Sequence, residues 1–171
     1  ETRPAGAPVA SPRQVLRNYA SVLTDRQAMG YILAVAASFA GIFAFVTSSP
    51  FLYMQHYGLS PAAYPFVFGA NVVVMALSNR VNIRLLRRRT PQQNLRLGLA
   101  IQLVAASGLL VVVATGTDSL FTVVPLVMAF LGVVGLISPN AISSLLERFS
   151  HMSATATALL GSIQFSSAAL S

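Results

Sequence analysis

The stretch QAMGYILAVAASFAGIFAFVTSSPFLYMQHYGLSPAAYPFVFGANVVVMALSN, residues 27–79, contains no Asp, Glu, Lys or Arg. One helix needs about 20 apolar residues to cross the hydrocarbon core of a bilayer, so a run of this length holds two. The break between them is written in QHYGLSPAAYP, where Gly58, Pro61 and Pro65 punctuate a turn. Spans are therefore expected near 28–54 and 65–86, followed by further apolar runs near 97–116, 119–147 and 153–171. These segments are long and continuously apolar, without the alternation of barrel strands. The expected fold is all-α, a polytopic transmembrane helical bundle of five spans over residues 27–171.

Composition agrees. Of 171 residues, 55% are hydrophobic and only 9% charged, and the mean hydropathy is +0.70, far from the averages of soluble domains. Cysteine is absent, which removes disulfides, thiolate zinc ligands and thiol nucleophiles. His56 and His151 fall in connections between spans and are read as solvated or interfacial residues; no metal and no cofactor is expected. No Ser/His/Asp set, phosphate-cradling glycine loop or channel filter is present, so an enzyme is not expected.

A net charge of +7 invites a nucleic-acid reading, above all at NRVNIRLLRRRTPQQNLR, residues 79–96. The distribution of the charge argues otherwise. With the N-terminus inside, Arg3, Arg13, Arg17 and Arg26, then Arg80, Arg84, Arg87, Arg88, Arg89 and Arg96, then Arg148 all lie on the inner side. The outer connections, near 55–64 and 116–118, hold no Arg and one acid, Asp118. Complete sorting of this kind is the positive-inside pattern. Arg80, Arg84, Arg87, Arg88 and Arg89 are accordingly expected to be a cytoplasmic anchor for anionic membrane lipids, and no nucleic-acid partner is expected.

Residues 1–26 read as a cytoplasmic linker. Within it RQVLRNYASVLT, residues 13–24, sets Val15, Leu16, Tyr19 and Leu23 at helical spacing. Two readings stay open for it, an amphipathic helix on the inner membrane surface or an ordinary linker. The N-terminal residues lack the apolar core of a signal peptide. The last residues, ATALLGSIQFSSAALS, end in an apolar segment, and a fragment truncated at the C-terminus is expected.

Polar residues inside spans are costly and therefore informative. Ala34, Ser38, Gly41, Phe45 and Ser48 fall on one face of the first span, suited either to lining a cavity or to close helix packing. Asn71, Gln102, Asn140 and Gln164 are neutral amides in apolar surroundings, and helix-to-helix hydrogen bonds are their commonest use. Pro50 and Pro139 are candidate helix bends, since proline lacks the amide donor and frees an upstream carbonyl. Gly132 and Gly135 precede Pro139 at packing distance, and Ala154, Ala158, Ser162 and Ser166 repeat every fourth position, where another helix could approach. No Asp or Glu lies near the middle of a span, so no intramembrane proton carrier is expected in this chain.

SSPFLYMQHYGLSP, FGAN, the arginine-rich loop and SPNAISSLLERFSHMSATATALLGSIQF, taken in order, resemble the C-terminal half of the bicyclomycin and chloramphenicol resistance (Bcr/CflA) drug:proton antiporters of the major facilitator superfamily. The resemblance runs from the central linker through the seventh to eleventh helices of a twelve-helix transporter. It implies that the first, second, fourth and fifth spans face a midplane cavity while the third is peripheral. Ser38, Phe45, Asn71, Asn140 and Gln164 thereby become substrate-cavity candidates, and Gln102 drops out. Two departures stand out: SNRVNIRLLRRR keeps the basic residues of the superfamily loop but neither its Gly nor its Asp, and Ser153 and Ala154 stand where relatives commonly have Gly.

The function so implied is multidrug efflux from the bacterial inner membrane, exchanging small amphipathic drugs for protons by alternating access. The N-terminal half of the same transporter is the expected partner and is expected to carry the proton-coupling carboxylates. The alternatives are a sugar or metabolite carrier of the same superfamily, which would need more directional polar groups, and a non-transporting membrane scaffold.

Overall fold

A computed structural model describes residues 11–171; the start of the linker, with Arg3, lies outside the described residues. These form α1 (Pro12–Thr24), α2 (Arg26–Pro50), a π-helical turn (Phe51–His56), α3 (Tyr64–Leu85), α4 (Pro91–Ala114), α5 (Leu120–Gly132), α6 (Val134–Arg148), a short 3-10 turn (Ser150–Met152) and α7 (Ser153–Ala169). Four helical runs are long and apolar enough to cross a membrane: Arg26–His56, Tyr64–Leu85, Pro91–Ala114 and Leu120–Arg148. At 17 residues, α7 rises about 26 Å, the short end of what a bilayer core needs.

Side chains close the helix starts. Asp25 accepts from the amides of Gln27 and Ala28 to cap α2, while Thr90 with Gln93 and Ser119 with Thr122 build reciprocal capping boxes on α4 and α5. Gly58 and Gly116 turn the chain at φ values of 66° and 64°, the left-handed region that costs other residues energy.

Helix α7 packs along α2, α4 lies on α5 and α6, and α3 lies on α5 and α6. One apolar cluster joins Val22 of α1, Ile32 and Val35 of α2, Leu95 of α4, Ile137, Ala141 and Leu145 of α6, and Ala156 and Leu160 of α7. A second, smaller cluster gathers Val123, Val127 and Leu131 of α5 against Ile42 and Phe45 of α2, while many other apolar side chains face outward. Leu103, Val104 and Leu110 of α4 are 69%, 71% and 71% exposed. The α7 stripe of Ala154, Ala158, Ser162 and Ser166 is also exposed, so it receives no helix among the described residues.

Both prolines act upstream of themselves. Pro50 cannot donate to the carbonyl of Val46, and Ser49 Oγ donates to that oxygen at 3.3 Å instead; the chain then changes from α- to π-helical winding at Phe51. Helical winding continues through Pro139, which has no amide hydrogen to give the Gly135 carbonyl, and the span expected at 119–147 is interrupted at Val133, between α5 and α6.

The arginines of the segment face solvent: Arg80, Arg84, Arg87, Arg88 and Arg89 are all exposed. At the same end of the bundle, Arg148 at the close of α6 donates to Asp25 Oδ2 at 2.6 and 2.9 Å and to Gln27 Oε1 at 2.8 Å. The hydrogen bonds from Arg148 hold the Asp25 carboxyl below its ordinary 3.8, helped by the amide of Ala28. A depressed carboxylate contributes stability that is complete above the unfolded value and drains as pH falls below it. Asp25→Asn is expected to keep the α2 cap yet lose this acid-sensitive contribution, while Asp25→Ala loses about 1 kcal/mol more through the cap. Thermal melts of wild type and the two variants at neutral pH and at about pH 2.5, below the unfolded value, check the separation.

Candidate functional site

The sequence-predicted site residues fall into separate groups. Ser38 is fully buried and donates to the Ala34 carbonyl at 2.8 Å and to Gln102 Oε1 at 3.0 Å. Gln102 in turn donates to the Phe130 carbonyl at 3.4 Å. Ser38 is thus a packing residue joining α2 to α4, and the expectation that it lines a cavity is corrected. Gly41, on the same face of α2, is where the Phe130 ring lies, 2.5 Å from the position a Cβ would take.

Asn140 is also redirected. Its Nδ2 donates to the Leu136 carbonyl and to Asn82 Oδ1, both at 2.6 Å, and Asn94 Nδ2 donates to the same Oδ1 at 3.0 Å. The orientation follows from one atom. The Leu136 carbonyl only accepts, so Asn140 must present its NH2 group, Asn82 its oxygen, and Asn94 its NH2 group. The three asparagines are 2% exposed or less and tie α3, α4 and α6 together. Asn140 is a helix-to-helix connector near the arginine-rich end, not a wall of the cavity.

Asn82 and Asn94 escape a reading of composition, because both lie beside the arginines and look like part of a polar loop. Helical phase is the signal that finds Asn82: Ser78, Asn82 and Leu85 share the face opposite Arg80, Arg84 and Arg87. Gln164 is 9% exposed on α7 and is not among the residues lining the recess described next.

Phe45 and Asn71 do come together. They line a recess of about 80 Å3 between α2, α3 and α5, with Ile42, Phe68, Val72, Met75 and Leu131. Ile42, Val72 and Met75 also line a larger open recess of about 530 Å3, which runs on past Phe39, Asn79, Gly135, Ser138 and Pro139. An aromatic group closes one end: the rings of Phe45 and Phe68 stack at 6.0 Å and 11°, with Tyr53 edge-on to Phe45 and Tyr64 beside Phe68. Tyr64 Oη and Ser49 Oγ share a hydrogen bond of 2.9 Å, which ties the start of α3 to the turn where Pro50 changes the winding.

The walls are almost wholly apolar, so the recess can hold an apolar molecule by contact and direct it only at isolated points. Asn71 is 5% exposed, and its Oδ1, like Ser138 Oγ, has no hydrogen-bond partner among the described residues. No Asp, Glu, Lys or Arg lines either part of the recess. Among the described residues no group of His, Asp and Glu is placed to hold a metal ion.

At the opposite end from the arginines, His56 Nε2 lies 2.8 Å from Asp118 Oδ2, and Tyr57 Oη donates to the same oxygen at 3.1 Å. The end of the π-helical turn is thereby fastened to the connection between α4 and α5. The contacts from His56 and Tyr57 lower the Asp118 carboxyl below its ordinary 3.8, and desolvation followed by the Asp118 contact raises the Tyr57 phenol.

Apolar helices around a recess without charge match a known sequence profile: residues 1–171 fit that of the Major Facilitator Superfamily. The chain belongs to this superfamily. Superfamily membership agrees with the four helical runs long and apolar enough to cross a membrane among the described residues, and makes this a multi-pass membrane chain. It is 32% identical over 157 residues to a bicyclomycin resistance protein homolog of Haemophilus influenzae, covering 91% of this chain and 39% of that relative. It is 27% identical over 146 residues to an uncharacterized MFS-type transporter, YdgK, of Bacillus subtilis, covering 85% and 36%. The chain thus spans well under half the length of these superfamily relatives. No solved structure matches it.

Proposed function

We propose that the chain is the C-terminal half of a proton-coupled exporter of small amphipathic drugs in the bacterial inner membrane. The observation that carries this reading is the recess between α2, α3 and α5–α6, whose walls are apolar and aromatic with single uncharged polar atoms. Apolar contact is undemanding in direction, so such a surface suits substrates that differ in shape, where a sugar carrier needs many directed hydrogen bonds. The name of the Haemophilus relative, a bicyclomycin resistance protein homolog, supports the drug reading.

In this proposal Phe45 and Asn71 contact substrate, α7 serves as the fifth span, and the N-terminal half supplies the facing wall and the carboxylates that exchange protons. Among the described residues the exposed arginines lie toward one end of the bundle, and by the positive-inside rule that end faces the cytoplasm in this proposal. There they bind anionic lipid headgroups, and α1 rests its exposed Leu16 and Leu23 on the same membrane surface.

The test uses the complete transporter in everted vesicles acidified inside, with internal pH recorded while amphipathic antibiotics are added. Drug-triggered proton release is expected, and Phe45→Ala is expected to weaken it at least several-fold. Silence across the panel, with insertion intact, overturns the drug-antiport reading in favour of a metabolite carrier or a scaffold. In the same vesicles an impermeant thiol reagent is expected to label Arg88→Cys, at the cytoplasmic face turned outward, and to spare Ser60→Cys; the reverse pattern overturns the orientation.

A further inference from the structure

The recess holds one polar atom whose hydrogen-bonding sense is fixed and whose partner is missing. Asn71 Nδ2 donates to the Val67 carbonyl, one turn back on α3, at 3.0 Å. That oxygen can only accept, and turning the amide over would set two oxygens against each other, so the nitrogen is committed to the helix. The amide oxygen is therefore the free end. Oδ1 has less than 1 Å2 open to water and no partner among the described residues, although Asn71 lines the recess together with the stacked Phe45 and Phe68 rings.

An acceptor left bare in apolar surroundings is unfavourable by about 1–3 kcal/mol, and a donor that reaches it gains a bond that water does not already make. An acceptor in the ligand finds the opposite, oxygen against oxygen. A cation would enter surroundings with no carboxylate among the lining residues and lose its hydration without an ionic partner. Space sets the remaining limit: the narrow part, about 80 Å3, takes a group the size of one or two rings, and the bulk of a larger molecule extends into the adjoining 530 Å3.

We propose that this part of the recess is a donor-selective subsite. It takes a flat, uncharged, apolar group bearing one N–H or O–H, which seats against Phe45 and Phe68 and donates to Asn71 Oδ1. Asn71 then decides which end of an amphipathic substrate enters the narrow part. This rests on the recess being the substrate cavity proposed above, but its test does not depend on proton exchange.

Indole and 1-methylindole are matched probes, equal in shape apart from the methyl group that replaces the donor hydrogen. Their binding to the complete transporter in nanodiscs is compared by calorimetry, with empty nanodiscs subtracted. Wild type is expected to prefer indole by about fivefold, the worth of one hydrogen bond of about 1 kcal/mol. Asn71→Leu is expected to remove that preference while retaining 1-methylindole binding, which shows that the recess survives. Equal binding of the two probes by wild type, or a preference that persists in Asn71→Leu, overturns the subsite. Drug-triggered proton release with no indole preference would sink the subsite alone, whereas an indole preference without proton release would keep the subsite and sink the antiport.

Discussion

Gly135→Ala is expected to part α3 from α6 and to destabilise the bundle by about 3 kcal/mol, the upper range for overpacking a close contact. A Cβ at Gly135 would lie 2.7 Å from Ser78 Oγ, 2.8 Å from the Asn79 nitrogen and 2.8 Å from the Met75 oxygen. Two of these are backbone atoms of a helix, which cannot step aside as a side chain can. Gly132 is the internal control. Its Cβ would meet Val74 Cγ1 at 2.6 Å, the tip of a side chain that can shift, so Gly132→Ala is expected to cost about 1 kcal/mol. Thermal unfolding of the complete transporter in detergent checks the ranking, and a Gly135→Ala variant as stable as wild type would refute it. Gly135 and Pro139 also line the larger recess, so parting α3 from α6 is expected to widen it and weaken drug transport as well.

Asn82→Leu is expected to have the next largest effect, about 2 kcal/mol. Asn82 Oδ1 is the acceptor on which Asn94 and Asn140 converge. Asn140 keeps its bond to the Leu136 carbonyl when Asn82 is lost, but Asn94 Nδ2 is left buried and unpaired beside its own unpartnered oxygen. An amide donor stranded in this way costs about 1–3 kcal/mol. The coupling is directly measurable: Asn82→Leu and Asn140→Leu together are expected to cost about 1 kcal/mol less than the sum of the two alone, within the range for hydrogen bonds between membrane helices. Strict additivity would mean that the two residues do not act as a pair.

These two expectations show why the amides could be noticed in the sequence but not assigned. Asn71, Gln102 and Asn140 are equally conspicuous as neutral polar residues in apolar runs, yet Gln102 and Asn140 join helices while Asn71, beside a recess, keeps a buried oxygen without a partner among the described residues. The difference lies in which neighbour each residue meets, and residues far apart in the chain set that. Asn140 meets Asn82 across 58 positions, and Ser38 meets Gln102 across 64. The same dependence on tertiary context explains the prolines. A proline announces a weak point in a helix, but the interruption between α5 and α6 falls at Val133, ahead of Pro139.

The sequence by itself determined the all-helical class, the long apolar runs and the confinement of the arginines to one end. In hydrocarbon every backbone polar group must be satisfied within its own segment, and every charge is expelled, so length and charge act locally and can be read residue by residue. Only the tertiary structure decided which face of each helix is lined, bonded or left bare. Between membrane helices hydrophobicity exerts little net pull, and rotation and register are set by close contact at a few small residues and by scattered hydrogen bonds. Gly135 against the backbone of α3, and Asn140 against Asn82, supply that information, and neither exists until the helices are side by side.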